Sequence, residues 1–193
     1  LKRFNTVLYM FNSLINHIRK YVSITDDDIL IIKDCFVENK FRKKVNLIEE
    51  SNVCNQQFFV SKGCLRMFFT NEKGVEHTVQ FAVENWWLSD FAAFENKFLS
   101  DFSIQAVEDS DVLIINYESQ KELLQKVPIL ERYFRLVFQR AYSASMLRTK
   151  YLFDFSREEF YLHFYNSFPE FTSRIPQQYL ASYLNMTPEY LSE

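Results

Sequence analysis

The run Pro128–Phe155, P-I-L-E-R-Y-F-R-L-V-F-Q-R-A-Y-S-A-S-M-L-R-T-K-Y-L-F-D-F, contains no glycine, and no proline after its first residue. Pro128 suits the first turn of a helix, where its missing N–H removes no hydrogen bond, and the spacing predicts one long helix over 128–155. Leu130, Phe134, Val137, Ala141 and Ala144 recur at alternating steps of four and three. Tyr151 and Phe155 rejoin the stripe after Arg148, which is the pattern of a seam that meets a partner helix. Two readings are open: a core helix of one domain, or a spine through which two copies of the chain pair. A helix this long cannot bury all its apolar sides against one small domain, so the expectation is a homodimer with those five residues at its interface.

Outward from the spine, the two sides differ in their punctuation. The only glycines, Gly63 and Gly74, precede it, whereas three of the four prolines, at 169, 176 and 188, follow it. Upstream, Leu8, Phe11, Leu14, Ile15 and Ile18 share one side of a helix. A second helix starts at Thr25, whose hydroxyl can cap it and whose following Asp26, Asp27 and Asp28 suit its positive end. From Phe41 the period changes to two, and the stretch 58–83, rich in Phe, Val and Thr, reads as strands. Gly63 and Gly74 predict tight hairpins between consecutive antiparallel strands. A short helical turn fits 89–96, with Ser89 or Asp90 at its start, before alternation resumes over 102–106 and 112–115. Strands at this spacing suggest a small barrel or double-layered roll.

Downstream, Ser156 and Glu159 form a capping box that opens a new helix. Pro176 opens another, Asn185 suits a left-handed cap, and Thr187-Pro188 supplies the start of a third. Leu180, Leu184 and Leu191 face a core, Ala181 leaves room for a crossing helix, and Met186 follows the turn. That is helix-turn-helix spacing, shared with ordinary helical corners.

Composition bounds the function. A chain of 193 residues that is 48% hydrophobic is large enough for real cores, and it lacks an apolar run of about 18 residues or a secretory signal. The expectation is a cytoplasmic protein with no membrane partner. Cys35, Cys54 and Cys64 are odd in number and form no C-x-x-C pair, against a disulfide framework or a four-cysteine metal site. His17, His77 and His163 are isolated, and no G-x-S-x-G, H-E-x-x-H or Gly-rich phosphate loop occurs. Neither an enzyme nor a cofactor or metal is therefore expected. The segment 128–155 has five basic and two acidic residues, while 156–193 has two and five. An acidic tail segment counts against a nucleic-acid reader unless basic residues lie further on.

The K-G and N-E-K-G turns, the spine and P-Q-Q-Y-L-A-S-Y-L-N-M-T-P-E-Y-L-S-E over 176–193 together resemble the Crp/Fnr superfamily of bacterial transcription regulators. V-S-K-G-C-L-R-M-F-F (60–69), E-N-W-W-L-S-D-F (84–91) and M-T-P-E-Y-L-S-E (186–193) are similar to a Bacteroidetes-type branch with a cyclic-nucleotide-binding-like sensor. The resemblance implies an α+β fold in three parts. Residues 1–127 would be N-terminal helices and an antiparallel β-roll, or double-stranded β-helix. Residues 128–155 would be the dimerisation helix, and 156–193 a winged helix-turn-helix, incomplete at its C-terminus. It implies a double-stranded DNA operator as partner, with Thr187, Pro188, Glu189, Tyr190 and Ser192 at the recognition helix and Gln177 and Gln178 near phosphates. Glu189 stands where the family places a base-reading glutamate, and a carboxylate can accept from cytosine N4.

The same resemblance locates an effector pocket at Ser89, Asp90, Asp101 and Ser103, to which Trp86 and Trp87, just before the turn, and Arg66, on a neighbouring strand, could add aromatic faces and a lone cation for a small or partly apolar ligand. Members that bind cyclic nucleotides hold the phosphate with a G-E-L turn and an Arg-Ser or Arg-Thr about ten residues later. Here those positions read Ser89-Asp90-Phe91 and S-D-F-S over 100–103, with no Lys or Arg between Lys97 and Lys121. A phosphate there would face two aspartates and no cation, so cAMP and cGMP are not expected to bind. An effector of another kind stays open, as does core packing for the tryptophans. A second class of function is a dimeric ligand-sensing or interaction module that reads no DNA.

Overall fold

The computed structural model describes residues 2–187, which divide into two compact units at 67/68, 80/81 and 136/137. In chain order the elements are α1 (Lys2–Arg19), α2 (Asp26–Cys35), β1 (Val37–Phe41), β2 (Asn46–Ile48), β3 (Gln56–Lys62), β4 (Leu65–Thr70), β5 (Glu76–Ala82) and β6 (Trp87–Leu88). They continue with α3 (Phe91–Asn96), β7 (Ser103–Ala106), β8 (Ser110–Asn116), α4 (Tyr117–Lys126), α5 (Ile129–Asp154), α6 (Arg157–Ser167), α7 (Pro169–Arg174) and α8 (Gln177–Tyr183).

The strands form two four-stranded sheets, ordered β1-β8-β3-β6 and β2-β7-β4-β5, and the recorded ladders are antiparallel. Successive strands alternate between the sheets except β4 and β5. This is a jelly-roll order, and the architecture is α+β with antiparallel sheets and a long helix, as the sequence implies. One expectation needs correcting. Gly63 does not close a hairpin, because β3 and β4 lie in different sheets. It sits where the chain changes sheet, with φ +99°, and a Cβ there would lie 2.4 Å from Ser110 Oγ. Close backbone approach, as well as positive φ, requires glycine. Gly74 does serve a tight turn: between β4 and β5 the Gly74 N–H donates to Asn71 O and the Asn71 N–H to Val75 O.

Local signals act as expected at the helix starts. Thr25 and Asp28 exchange a capping box at α2, and Ser156 and Glu159 do the same at α6. The strand region begins earlier than Phe41, where the sequence places the change of period: Val37–Phe41 form β1 and pair with β8. Helix α4 was not foreseen; its cap is Asn116, whose side chain accepts from Ser119 N.

In the first unit α1 packs on β3 and β8 through Met10, Phe11, Leu14, Ile15 and Ile18, all buried. Phe58, Phe59 and Val60 are fully enclosed although they alternate faces of β3, because that strand is covered on both sides. In the second unit α6, α7 and α8 follow α5. Helix α8 ends in a Schellman motif: Asn185 takes φ +59°, the Met186 N–H donates to Ala181 O at 2.8 Å and the Asn185 N–H to Ser182 O at 3.2 Å. Among the described residues no helix is long and apolar enough to cross a membrane.

Candidate functional site

Most of the effector residues expected from the sequence are engaged within the protein. The short helix α3 is capped by Asp90, whose Oδ1 accepts from Ala93 N at 3.1 Å. Its Oδ2 accepts from Ser100 Oγ at 3.0 Å and from Asp101 N at 3.2 Å. The donors that converge between α3 and the strand that follows are thus taken by the chain's own carboxylate. Ser89 Oγ donates to Gln56 O at 2.8 Å, and Ser103 Oγ accepts from Glu50 N at 3.0 Å. Burial pushes the neighbouring Cys54 thiol above its ordinary range, so it is no thiolate nucleophile.

Arg66, on β4, is held by Gln105 of β7. It is 1% exposed, and its Nε and Nη2 both donate to Gln105 Oε1, at 3.0 and 2.8 Å. Gln105 in turn donates to Asn46 Oδ1 at 2.9 Å.

The two tryptophans separate, Trp86 standing just before β6 and Trp87 opening it. Trp86 is 48% exposed and Trp87 4%. The latter packs in the core, one of the two roles that the sequence leaves open for the tryptophans. Its ring packs on Phe59 and Phe134, with centroids 5.4 and 5.1 Å away, and its indole N–H donates to Tyr133 Oη at 2.8 Å. Tyr133 Oη is also 2.8 Å from His17 Nδ1. Since the indole can only donate, the phenol accepts from it, and the direction of its bond with His17 Nδ1 follows the imidazole tautomer. This Trp87–Tyr133–His17 chain joins β6, α5 and α1, and burial raises the Tyr133 phenol far above its usual range. No sequence signal pairs residues 116 apart.

The spine residues divide as well. Leu130 is 1% exposed and Phe134 6%. Both lie in the core of the first unit and offer nothing to a partner, which corrects their place in the expected interface. Val137 is half-buried, and from Gln139 to Leu147 every residue of α5 is exposed, including Ala141, Ala144, Tyr142, Met146 and Leu147.

In the second unit Tyr179, Leu180, Ala181, Leu184 and Met186 are buried, and Gln177 and Gln178 are exposed. Thr187 is exposed at the end of the described chain; Pro188, Glu189, Tyr190, Leu191 and Ser192 lie outside the described residues. The sequence also gave no hint of Arg148, whose Nη2 donates to Tyr183 O at 2.6 Å and whose guanidinium lies 4.3 Å from the Tyr183 ring centroid. Among the described residues no three His, Cys, Asp or Glu side chains gather where they could hold a metal.

A jelly-roll with a short capped helix between its sixth and seventh strands, followed by a long helix, defines the class of cyclic-nucleotide-binding-like folds. Residues 38–127 match the cyclic nucleotide-binding domain family, and the structural neighbours include Crp/Fnr transcription regulators. The c-di-GMP responsive global regulator CLP of Xanthomonas campestris aligns with a TM-score of 0.71 and 12% identity, over 87% of this chain and 88% of that one. A Crp/Fnr-family regulator from Eubacterium rectale gives 0.69 and 16%, over 88% and 81%. A CooA mutant from Carboxydothermus hydrogenoformans gives 0.67 and 16%, over 82% and 74%. At these identities the likeness shows the fold. No curated protein matches the sequence at a significant level.

The family's ligand does not fit the residues present. A cyclic phosphate at the α3 turn would have to displace the Asp90 carboxylate from three donors, and its negative charge would meet Asp90 and Asp101 instead of an arginine. Titration calorimetry with cAMP and cGMP is expected to give no saturable heat up to about 100 μM, a ceiling of roughly 5.5 kcal/mol on any affinity. Saturation below about 10 μM would reveal a cation that this reading lacks. Asp90→Ala, which leaves the three donors without their acceptor, is expected to cost about 1–3 kcal/mol in urea unfolding.

Proposed function

We propose that the chain is a non-enzymatic, dimeric, DNA-binding transcription regulator of the Crp/Fnr type, whose β-roll does not take cAMP. The observation that carries this reading is in the second unit. A buried α8 ends in a left-handed turn at Asn185 with Met186 packed beneath, the arrangement that delivers the next helix of a helix-turn-helix. The exposed run of α5 from Gln139 to Leu147 supports pairing of two copies through Val137, Ala141 and Ala144. Gln177 and Gln178, exposed at the start of α8, would meet phosphates, and Thr187, Pro188, Glu189, Tyr190 and Ser192 would read the bases. A winged helix-turn-helix over 156–193 and a sensor over 1–127 complete the assignment.

The test is selection from random duplexes at moderate salt, using full-length protein. A pseudo-palindromic operator is expected, with half-sites about 34 Å apart or a multiple of that. Glu189→Ala is expected to lower discrimination at one base position per half-site by roughly 1–3 kcal/mol and to leave non-specific binding nearly unchanged, since a carboxylate repels phosphates and helps only by reading a base. No sequence preference, or equal weakening on all sequences, would leave the dimeric interaction module as the function.

A further inference from the structure

Within the second unit the last turn of α8 is gripped from two directions. Strand β5 stands at the edge of its sheet, where backbone groups lack a neighbouring strand. Ser182 supplies one residue's worth of that neighbour. Its Oγ accepts from Thr78 N at 2.8 Å and donates to Glu76 O at 2.9 Å. One hydroxyl thus bridges the two outward groups that flank His77, as a residue of a parallel strand would. On the following residue, Arg148 of α5 donates to Tyr183 O and stacks on the Tyr183 ring. The hairpin is itself stiffened beside this grip, since His77 stacks on Phe69 with centroids 5.2 Å apart and its Nε2 is 2.9 Å from Asn71 Nδ2.

The grip is incompletely satisfied. Thr78 Oγ1 and Arg148 Nε are buried and make no hydrogen bond among the described residues, and both belong to residues that bond Ser182 or Tyr183. Burial also depresses the Arg148 guanidinium from its ordinary value, a sign that the charge is incompletely compensated where it lies. Buried polar groups without partners are uncommon and costly, and here two border one contact. Moving α8 off this seat would break three hydrogen bonds but open both orphaned atoms to solvent. Such near-balance is what lets a modest bias choose between two arrangements.

We propose that Ser182, Thr78, Glu76 and Arg148 form a releasable seat that holds α8 in a low-affinity position, and that release of the seat frees the DNA-reading segment. The proposal rests on the regulator reading above. It makes the β4–β5 hairpin, which continues directly into the roll's strands, the element through which α8 is restrained.

Hydrogen exchange and operator binding on the full-length protein test it together. Ser182→Ala removes both bonds to β5 only in the seated state. It is expected to speed exchange at Thr78 and across 179–184 about tenfold, and to tighten operator binding about three- to tenfold. Exchange in 56–62 and 111–116 serves as the control for an intact roll and is expected to stay unchanged. Ser182→Thr, which keeps the hydroxyl, is expected to behave like the unaltered protein. Unchanged exchange across 179–184 overturns the seat. Faster exchange with equal or weaker operator binding overturns its inhibitory sense, because DNA would then be reading the seated arrangement. If neither the unaltered protein nor Ser182→Ala selects an operator, the regulator reading fails, and the exchange data alone decide whether the seat holds α8.

Discussion

Replacing Ala141 and Ala144 with glutamate is expected to turn a dimer into a monomer. Both alanines lie on the exposed run of α5, and their small side chains allow a partner helix to come close. In the monomer the two carboxylates point into water and cost little. In the dimer four of them would face one another in a desolvated seam. A loss of roughly 4 kcal/mol, about a thousandfold in the dimer constant, follows from such burial. Sedimentation equilibrium at micromolar concentration reads the outcome directly: twice the chain mass for the unaltered protein, and the chain mass for the variant. An unaltered protein that sediments as a monomer refutes the pairing. Phe134→Glu is not an equivalent experiment, because Phe134 is already 6% exposed within its own unit and the charge would unfold the roll's base.

Tyr133→Ala is expected to cost about 3–5 kcal/mol in urea unfolding, the range for deleting a large buried ring. The ring is fully enclosed and meets His17, Tyr21 and Phe134 edge-on at 5.7, 5.8 and 5.1 Å. Tyr133→Phe separates the hydroxyl from the ring. It keeps the packing and leaves the Trp87 indole N–H and His17 Nδ1 without their partner, at an expected cost of about 1–3 kcal/mol. Fluorescence of Trp87 is expected to change in both variants, and circular dichroism in neither below the transition. If Tyr133→Phe proves as stable as the unaltered protein, the Trp87–Tyr133–His17 chain contributes nothing and α1 is held by its apolar stripe alone.

The parts of the fold legible in the sequence are those that a few neighbouring residues decide. Thr25 with Asp28 and Ser156 with Glu159 announce helix starts because the cap is closed within four residues. Asn185 announces the turn after α8 because αL backbone is cheap for asparagine. The long helix was legible from the absence of breakers. Where a pattern depends on residues far along the chain, it was not. Gly63 looks like a hairpin glycine until Ser110 is placed against it. Val37–Phe41 lies ahead of the visible change of period and becomes a strand by finding β8. The seam of α5 looks uniform from Leu130 to Ala144, yet its first two members pack in the roll's core while Ala141 and Ala144 are open. In the candidate site, the loss of the phosphate-pairing arginine was visible as a missing residue type; that Asp90 itself would take the converging donors was not, because Ser100 and Asp101 reach it only through tertiary structure.

The strand order sets a timetable for biosynthesis. Strand β8 lies between β1 and β3, pairing Val37–Phe41 on one side and Gln56–Lys62 on the other, and it is the last strand of the roll to leave the ribosome. Until residue 116 has emerged, β1 and β3 have no common neighbour, and Phe58, Phe59 and Val60 have only β6 beside them in their sheet. Closure therefore joins β8 to β3, 49 to 60 residues upstream, and to β1, 69 to 77 residues upstream, in one late event, which places the roll among slowly folding topologies. For that interval β3 has α1, already synthesised and able to cover it, and β6 on one edge, with its other edge open to mispairing.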